Sequence, residues 1–194
     1  MIMQAQEKKI YTPEEYLDLE VDADTRHEYI NGEIIPMTGG TPNHNEIAGN
    51  FYILLKSKLK GKAYRIFYID QRLWIPDFGI YTYLDVMVVA KPIELQAGRN
   101  DTIVNPVLIA EVLSKSTKNY DRDEKFSAYR SIPSFQEYLL IDQYTAHVEQ
   151  YSKTDENKWI FSEYNAMEIE LQLESIACTF TLENLYSDIE FESV

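Results

Sequence analysis

Residues 106–125 read PVLIAEVLSKSTKNYDRDEK, and the fold turns on how this stretch is read. Glu111 stands alone in an apolar run, with Val107, Leu108, Ile109 and Ala110 before it and Val112 and Leu113 after it. Such a run, opened by Pro106 and closed by Ser114, predicts a strand covered on both faces. An ionised carboxylate there is costly unless a cation or hydrogen-bond donors meet it. Asp85 poses the same problem in YLDVMVVA, a second short apolar strand. Two lone acids in neighbouring strands, with Lys125 on the helix that follows, point to a divalent-metal site. A structural ion pair is the competing reading, because such pairs also occupy strands.

Working outward, 194 residues predict one domain over residues 1–194, with a core of about 11–151 and an acidic C-terminal extension of about 155–194. A hydrophobic fraction of 45% argues against wholesale disorder. The single cysteine, Cys178, excludes an internal disulfide and any Cys-rich zinc site. The opening MIMQAQEKKIYTPEEY lacks the apolar core of a signal peptide, and no run reaches membrane-spanning length, so a cytoplasmic protein with no membrane partner is expected.

A net charge of −14 argues against a general nucleic-acid coat protein, since phosphate contacts need cations. The charge is uneven, however. Residues 155–194 carry ten acids against Lys158, whereas across residues 43–72 six bases (Lys56, Lys58, Lys60, Lys62, Arg65 and Arg72) face only Glu46 and Asp70. This stretch reads either as a local basic surface or as an ordinary solvated helix face.

Along the chain, Thr12-Pro13-Glu14-Glu15 starts a helix, with Thr12 as N-cap and Glu15 closing a capping box. RHEYINGEIIPM predicts a hairpin turned by Asn31-Gly32. After Gly39-Gly40 and Thr41-Pro42, an apolar stripe of Ile47, Phe51, Leu54, Leu55 and Leu59 predicts a second helix of about four turns. AYRIFYID, RLWI and YLDVMVVA read as three strands, residues 91–105 as an irregular connection, and PVLIAEVL as the next strand. Ser114–Tyr120 is expected to be a polar loop and DRDEKFSAYRSI a helix ended by Pro133. FQEYLLID, AHVEQYSK and KWIFSEY are three more strands, and Thr181 can cap a short helix in TFTLENLYSDI. Successive strands with helices before and among them make the fold α/β, or mixed α+β.

If the strands bearing Asp85 and Glu111 pair, one register puts both carboxylates within reach of a single cation. Mg²⁺ suits such a pair, being satisfied by one or two carboxylates plus waters and a substrate phosphate. Lys125 either forms an i, i+4 surface pair with Asp121 or folds back to orient a water or stabilise charge on a phosphate. His44 opens the second helix, where it is an idle polar residue or a metal- or phosphate-adjacent one.

The pieces YTPEEYL, RHEYINGEIIPM, TYLDVMVV, EYLLID, the His44 helix and, most specifically, residues 106–129 resemble the Uma family of candidate endonucleases, common in cyanobacteria, within the PD-(D/E)xK restriction-endonuclease-like superfamily. The resemblance spans roughly Tyr11 to Tyr151. It implies a central mixed sheet flanked by helices, with extra antiparallel strands and a Mg²⁺- (or Mn²⁺-) dependent site cleaving phosphodiesters. Asp85 matches the first strand acid and Glu111 the second, and Glu33 looks like an additional family acid near the site. Leu84 stands where the family has proline, and Pro76-Asp77 is a decoy in a turn. The superfamily's lysine normally lies two residues after the second acid, which is Leu113 here; a helix lysine replaces it in the family, and Lys125 matches that one, with Lys115 as fallback.

The implied mechanism is water attack on a phosphodiester, with Asp85 and Glu111 as metal ligands and Lys125 orienting the water. Lys56, Lys60, Arg65, Lys115 and His44 are candidates for holding the backbone of a nucleic-acid partner, DNA before RNA. A homodimer suits an enzyme acting on two strands, and Leu139–Ile141 could pair with a second copy or lie within the chain's own sheet. Two further readings stand beside this one: a catalytically silent nuclease-fold scaffold that binds proteins, and a hydrolase of a small phosphorylated molecule.

Overall fold

The computed structural model describes residues 9–115, 118–155 and 158–191. Thr12 caps α1 (Pro13–Val21), and the capping box closes in both directions, Glu15 N–H to Thr12 Oγ1 at 3.2 Å and Thr12 N–H to Glu15 Oε2 at 2.8 Å. β1 (His27–Ile30) and β2 (Glu33–Pro36) form the expected hairpin, with Asn31 and Gly32 at φ 49° and 95°, the positive values the tight turn requires. Thr41 caps α2 (Pro42–Lys58), which buries Ile47, Ala48, Phe51 and Leu55 along one stripe.

β3 (Tyr64–Tyr68) and β4 (Arg72–Ile75) follow as read. YLDVMVVA is not one strand. β5 (Ile80–Tyr83) pairs with β4 and β1 in one sheet, while β6 (Val86–Ala90) pairs with β3 in another. Asp85 therefore lies at the crossing between two sheets rather than within a strand. The apolar run hides this change because both of its halves are buried between layers, and hydrophobicity alone does not mark a switch of sheet. A short β7 (Thr102–Ile103) emerges from the segment expected to be irregular.

β8 (Pro106–Leu113) is buried along its whole length. The next helix, α3 over residues 118–129, starts earlier than expected and carries a widened π turn at Asp121–Lys125. β9 (Glu137–Asp142), β10 (Val148–Asp155), β11 (Lys158–Tyr164), a terminal hairpin of β12 (Glu170–Leu173) and β13 (Cys178–Thr181), and α4 (Leu182–Leu185, capped by Thr181) complete the described chain.

The main sheet runs β11-β10-β9-β8-β6-β3, mixed because β8 and β9 are parallel and the other neighbours antiparallel. A second sheet runs β2-β1-β5-β4-β7. This is the mixed α/β restriction-endonuclease-like architecture expected. β9 is paired on both sides within the chain, so its Leu139–Ile141 segment is not a sheet edge.

Alternation along β8 positions the site. Leu108, Ala110 and Val112 face a cluster containing Ile47, Phe51 and Leu55 of α2, together with Leu171, Phe180 and Leu185 of the C-terminal segment. Ile109 and Leu113 face the opposite cluster, with Tyr129, Phe135 and Tyr138. Glu111 shares the second parity, and points at α3.

The second sheet carries its own ion pair, between a buried arginine and a partly exposed carboxylate. Arg72, expected in the basic stretch, is buried and reaches Asp101 (2.7 Å), Thr102 (3.0 Å) and Tyr83 (3.3 Å). Burial raises the Asp101 carboxyl, but the hydrogen bonds from Arg99 and Thr102 and the charge of Arg72 outweigh it and hold the group well below its ordinary value. A depressed carboxylate contributes stability above its unfolded value and loses it as pH falls below that value. Asp101→Asn is thus expected to cost about 1 kcal/mol near neutrality, discounted for the partly exposed carboxylate. The difference from the parent should shrink as urea unfolding is repeated from pH 7 toward pH 3.

Candidate active site

Val86 pairs with Ala110 across β6 and β8, so the next rung sets Asp85 opposite Glu111. The Val112 N–H donates to Asp85 Oδ2 at 2.7 Å, and the Asp85 N–H lies 3.5 Å from Glu111 Oε2. The two acids singled out from sequence are thereby stitched together where one sheet gives way to the other. His44, at the start of α2, brings Nε2 to 3.3 Å from Asp85 Oδ2.

α3 supplies the cation. Lys125 Nζ lies 3.1 Å from Glu111 Oε1, 3.3 Å from Asp121 Oδ1 and 3.5 Å from Glu28 Oε1. One turn on, the Tyr129 hydroxyl donates to the same Glu111 oxygen at 2.8 Å. Asp121, Lys125 and Tyr129 recur at i, i+4 and i+8, and the π turn of Asp121–Lys125 sits where this face meets β8. Such widened turns concentrate at functional sites. Thr82 of β5 donates to Glu28 and fixes that carboxylate.

Four carboxylates (Glu28, Asp85, Glu111 and Asp121) thus share Lys125 and His44. Burial pushes the Glu111 carboxyl upward; Lys125 opposes this and the Asp85 and Asp121 charges add to it. Lys125 is also buried, which disfavours its charge, yet Glu111, Glu28 and Asp121 raise it well above its ordinary value. For His44, burial is outweighed by the hydrogen bond and charge of Asp85, and the imidazole rises. The cluster holds more negative charge than its own cations neutralise, and its free donors are hard oxygens.

These groups line an open cleft of about 470 Å³, with Thr41, Ser114, Lys115 and Tyr144 also on its wall. Among the described residues no three His, Cys, Asp or Glu side chains form a ready-made metal cage. Two facing carboxylates in an open cleft nevertheless fit Mg²⁺ or Mn²⁺, ions that keep several waters and take their remaining ligands from a substrate phosphate.

The structure therefore gathers Asp85, Glu111, Lys125 and His44, and puts Lys115 on the wall of the cleft, 5.2 Å from the Tyr144 ring centre. Glu33 opens β2 beside the hairpin turn and is not among the lining residues; Glu28 of the same hairpin faces Lys125 instead. Asp77 is exposed in the turn Pro76–Phe78. Lys56 lies in the last turn of α2 and Lys60 just beyond it, and twelve helical residues put Lys56 about 18 Å from His44. Arg65 is exposed on β3, 5.9 Å from the Phe67 ring centre. Glu28, Asp121 and Tyr129 were not picked out as site residues. Asp121 and Tyr129 carry a signal in their helical spacing with Lys125, whereas Glu28 reads as an ordinary hairpin acid.

A family model described as Uma2, "Putative restriction endonuclease", matches residues 13–184. Two uncharacterized proteins of Synechocystis sp. (strain ATCC 27184 / PCC 6803 / Kazusa) are similar. One, sll1609, is 42% identical over 164 residues, 84% of this chain and 93% of that one. The other, slr1290, is 34% identical over 180 residues, 93% of each chain. In fold, the chain resembles the crystal structure of a "putative nuclease belonging to DUF820" from Anabaena variabilis ATCC 29413, with a TM-score of 0.73 at 20% identity, covering 91% of this chain and 97% of that one.

Proposed function

This chain belongs to the Uma2 family, and from that premise we propose that it is a divalent-metal-dependent endonuclease hydrolysing phosphodiester bonds in nucleic acid, with DNA as the first substrate to test. One observation carries the reading. Asp85 and Glu111 face each other at the end of the β6–β8 pair, in an open cleft, with Lys125 Nζ 3.1 Å from Glu111.

Asp85 and Glu111 would hold the ion, which when bound supplies Lewis acidity at the phosphoryl oxygen and a lowered pKa for the attacking water. Tyr129 and Lys125 fix the orientation of Glu111 through its Oε1, leaving Oε2 toward Asp85. The Lys125 ammonium orients the nucleophile and offsets negative charge growing on the phosphate. His44 holds Asp85 from the α2 side, and Val112 N–H holds it from the strand side. Glu28 keeps Lys125 aimed at this corner of the cleft. The whole chain works as one domain in this reading, since Leu171, Phe180 and Leu185 share a core with α2. No helix among the described residues is long and apolar enough to cross a membrane.

Metal binding alone tests the donor set. Mn²⁺ at a hundredfold excess over Kd adds about 2.7 kcal/mol to stability, about 5–10 °C in melting temperature for a chain of this size. The rise should appear in the wild type and vanish in Asp85→Asn. An unmoved wild-type midpoint would favour the silent-scaffold reading.

A further inference from the structure

A second depression, of about 410 Å³, lies at the C-terminal end of α2, and its charged lining is cationic: Lys56, Lys60, Lys62 and Lys91, with Tyr64 beside them. In a chain of 32 acids and 18 lysines and arginines, no carboxylate lines it. Among the described residues, none of the four lysines has an ion-pair partner. Lys62 Nζ donates to the Ala177 carbonyl at 3.2 Å, and Lys56 Nζ lies 5.7 Å from the Tyr52 ring centre. Attraction to a helix C-terminus accounts for Lys56 and Lys60. It does not account for Lys91, which arrives from the end of β6 and is pinned there by its N–H to the Ala63 carbonyl at 2.9 Å. Two segments distant in sequence deliver cations to one place.

The pocket and the cleft lie toward opposite ends of β3. Tyr68 at one end pairs with Val86, next to Asp85, and Tyr64 at the other pairs with Ala90, next to Lys91. Four strand rises make this span about 14 Å. At the cleft end, Tyr68 stacks on Tyr52 with ring centres 5.4 Å apart, and its hydroxyl donates to the Asn45 carbonyl at 3.2 Å. Tyr52, Tyr64 and Tyr68 pack against the core and hold α2 on β3, which fixes the lysine pocket relative to the acidic corner.

We infer that the Lys56–Lys60–Lys62–Lys91 pocket binds the phosphodiester backbone of the nucleic acid at a distance from the bond at Asp85 and Glu111 set by the length of β3, about 14 Å. The inference rests on the nuclease reading and adds to it a place and a direction for the substrate strand. The contacts are to phosphate, so they contribute affinity and no sequence preference.

The test is fluorescence anisotropy with a labelled 20-base-pair DNA and its single strand, in EDTA so that nothing is cut. Lys56→Gln/Lys60→Gln/Lys91→Gln is compared with the wild type and with Lys9→Gln/Lys153→Gln/Lys158→Gln, which removes the same charge elsewhere. The pocket variant should weaken binding tenfold or more. Its slope of log affinity against log salt should be shallower by about 2.7, at about 0.9 per lost phosphate contact. The control should stay within twofold, and all three proteins should melt alike. Equal affinity for pocket variant and wild type, or an equal loss in the control, would overturn the inference. So would a wild type that ignores nucleic acid but binds anionic vesicles through these lysines. Metal-dependent cutting by a wild type whose pocket variant binds normally would retire this site and leave the nuclease reading intact. A wild type that shows no metal-dependent cutting, together with a pocket variant that binds normally, would retire both.

Discussion

Lys125→Met should lower folding stability by about 3–5 kcal/mol, the usual cost of removing one partner from a buried charged cluster. Nζ lies within 3.5 Å of Glu28, Glu111 and Asp121, and Glu111 and Asp121 are almost wholly buried. Methionine fills the space of the lysine stem, so the loss reports the charge more than the packing. The carboxylates left behind must protonate or draw in water, and each course costs free energy. The difference from the wild type should therefore narrow as pH falls through the carboxylate range, where protonation is less costly. Urea denaturation of both proteins at pH 7.5 and pH 5 reads this directly. A loss below about 1 kcal/mol at pH 7.5 would mean that Lys125 is not what neutralises the cluster.

The largest effect on activity is expected from Asp85→Asn. Asparagine keeps a carbonyl oxygen for the Val112 N–H, which now donates to Asp85 Oδ2 at 2.7 Å. The strand crossing should hold, with stability changing by about 1 kcal/mol or less. The negative charge is removed from the face that would hold the cation, and His44 loses its ionic partner at 3.3 Å. Single-turnover cleavage of a short duplex should slow about 10²–10³-fold or more, the scale seen when one preorganised electrostatic contact is lost. A variant that cuts at the wild-type rate would move the reaction away from Asp85.

How much of this was legible in the sequence differs from element to element. Glu111 was legible because six apolar neighbours leave a carboxylate no inexpensive structural role, and the Asn31-Gly32 hairpin and the Thr12 cap of α1 carry local chemistry that tertiary packing did not override. Asp85 was legible as a lone acid but not as the point where the chain changes sheets, since β5 and β6 are both buried and Leu84 leads from β5 to it without a polar break. Glu28 was hidden because HEYI reads as an ordinary alternating strand, and only the pairing of β1 with β5 turns that acid toward Lys125. The acidic composition of residues 155–194 suggested an extension. Alternation of Leu171 and Leu173 with polar neighbours instead builds a hairpin face that packs on α2. The six bases counted along residues 43–72 do not form one surface. Arg72 turns inward to Asp101, Arg65 sits on the outer strand, and Lys91 takes a place beside Lys56 and Lys60 that sequence proximity could not indicate.

The central claim is that two facing carboxylates and a buried lysine make a metal-dependent nuclease. Its most direct measurement is conversion of supercoiled plasmid to nicked and linear forms by the wild type and by Glu111→Ala, in Mg²⁺, in Mn²⁺ and in EDTA. Cutting by the wild type in either metal, absent in EDTA and absent in the folded variant, is the predicted result. Cutting that survives both EDTA and Glu111→Ala, or a folded wild type that cuts neither plasmid nor single-stranded DNA in either metal, would contradict it.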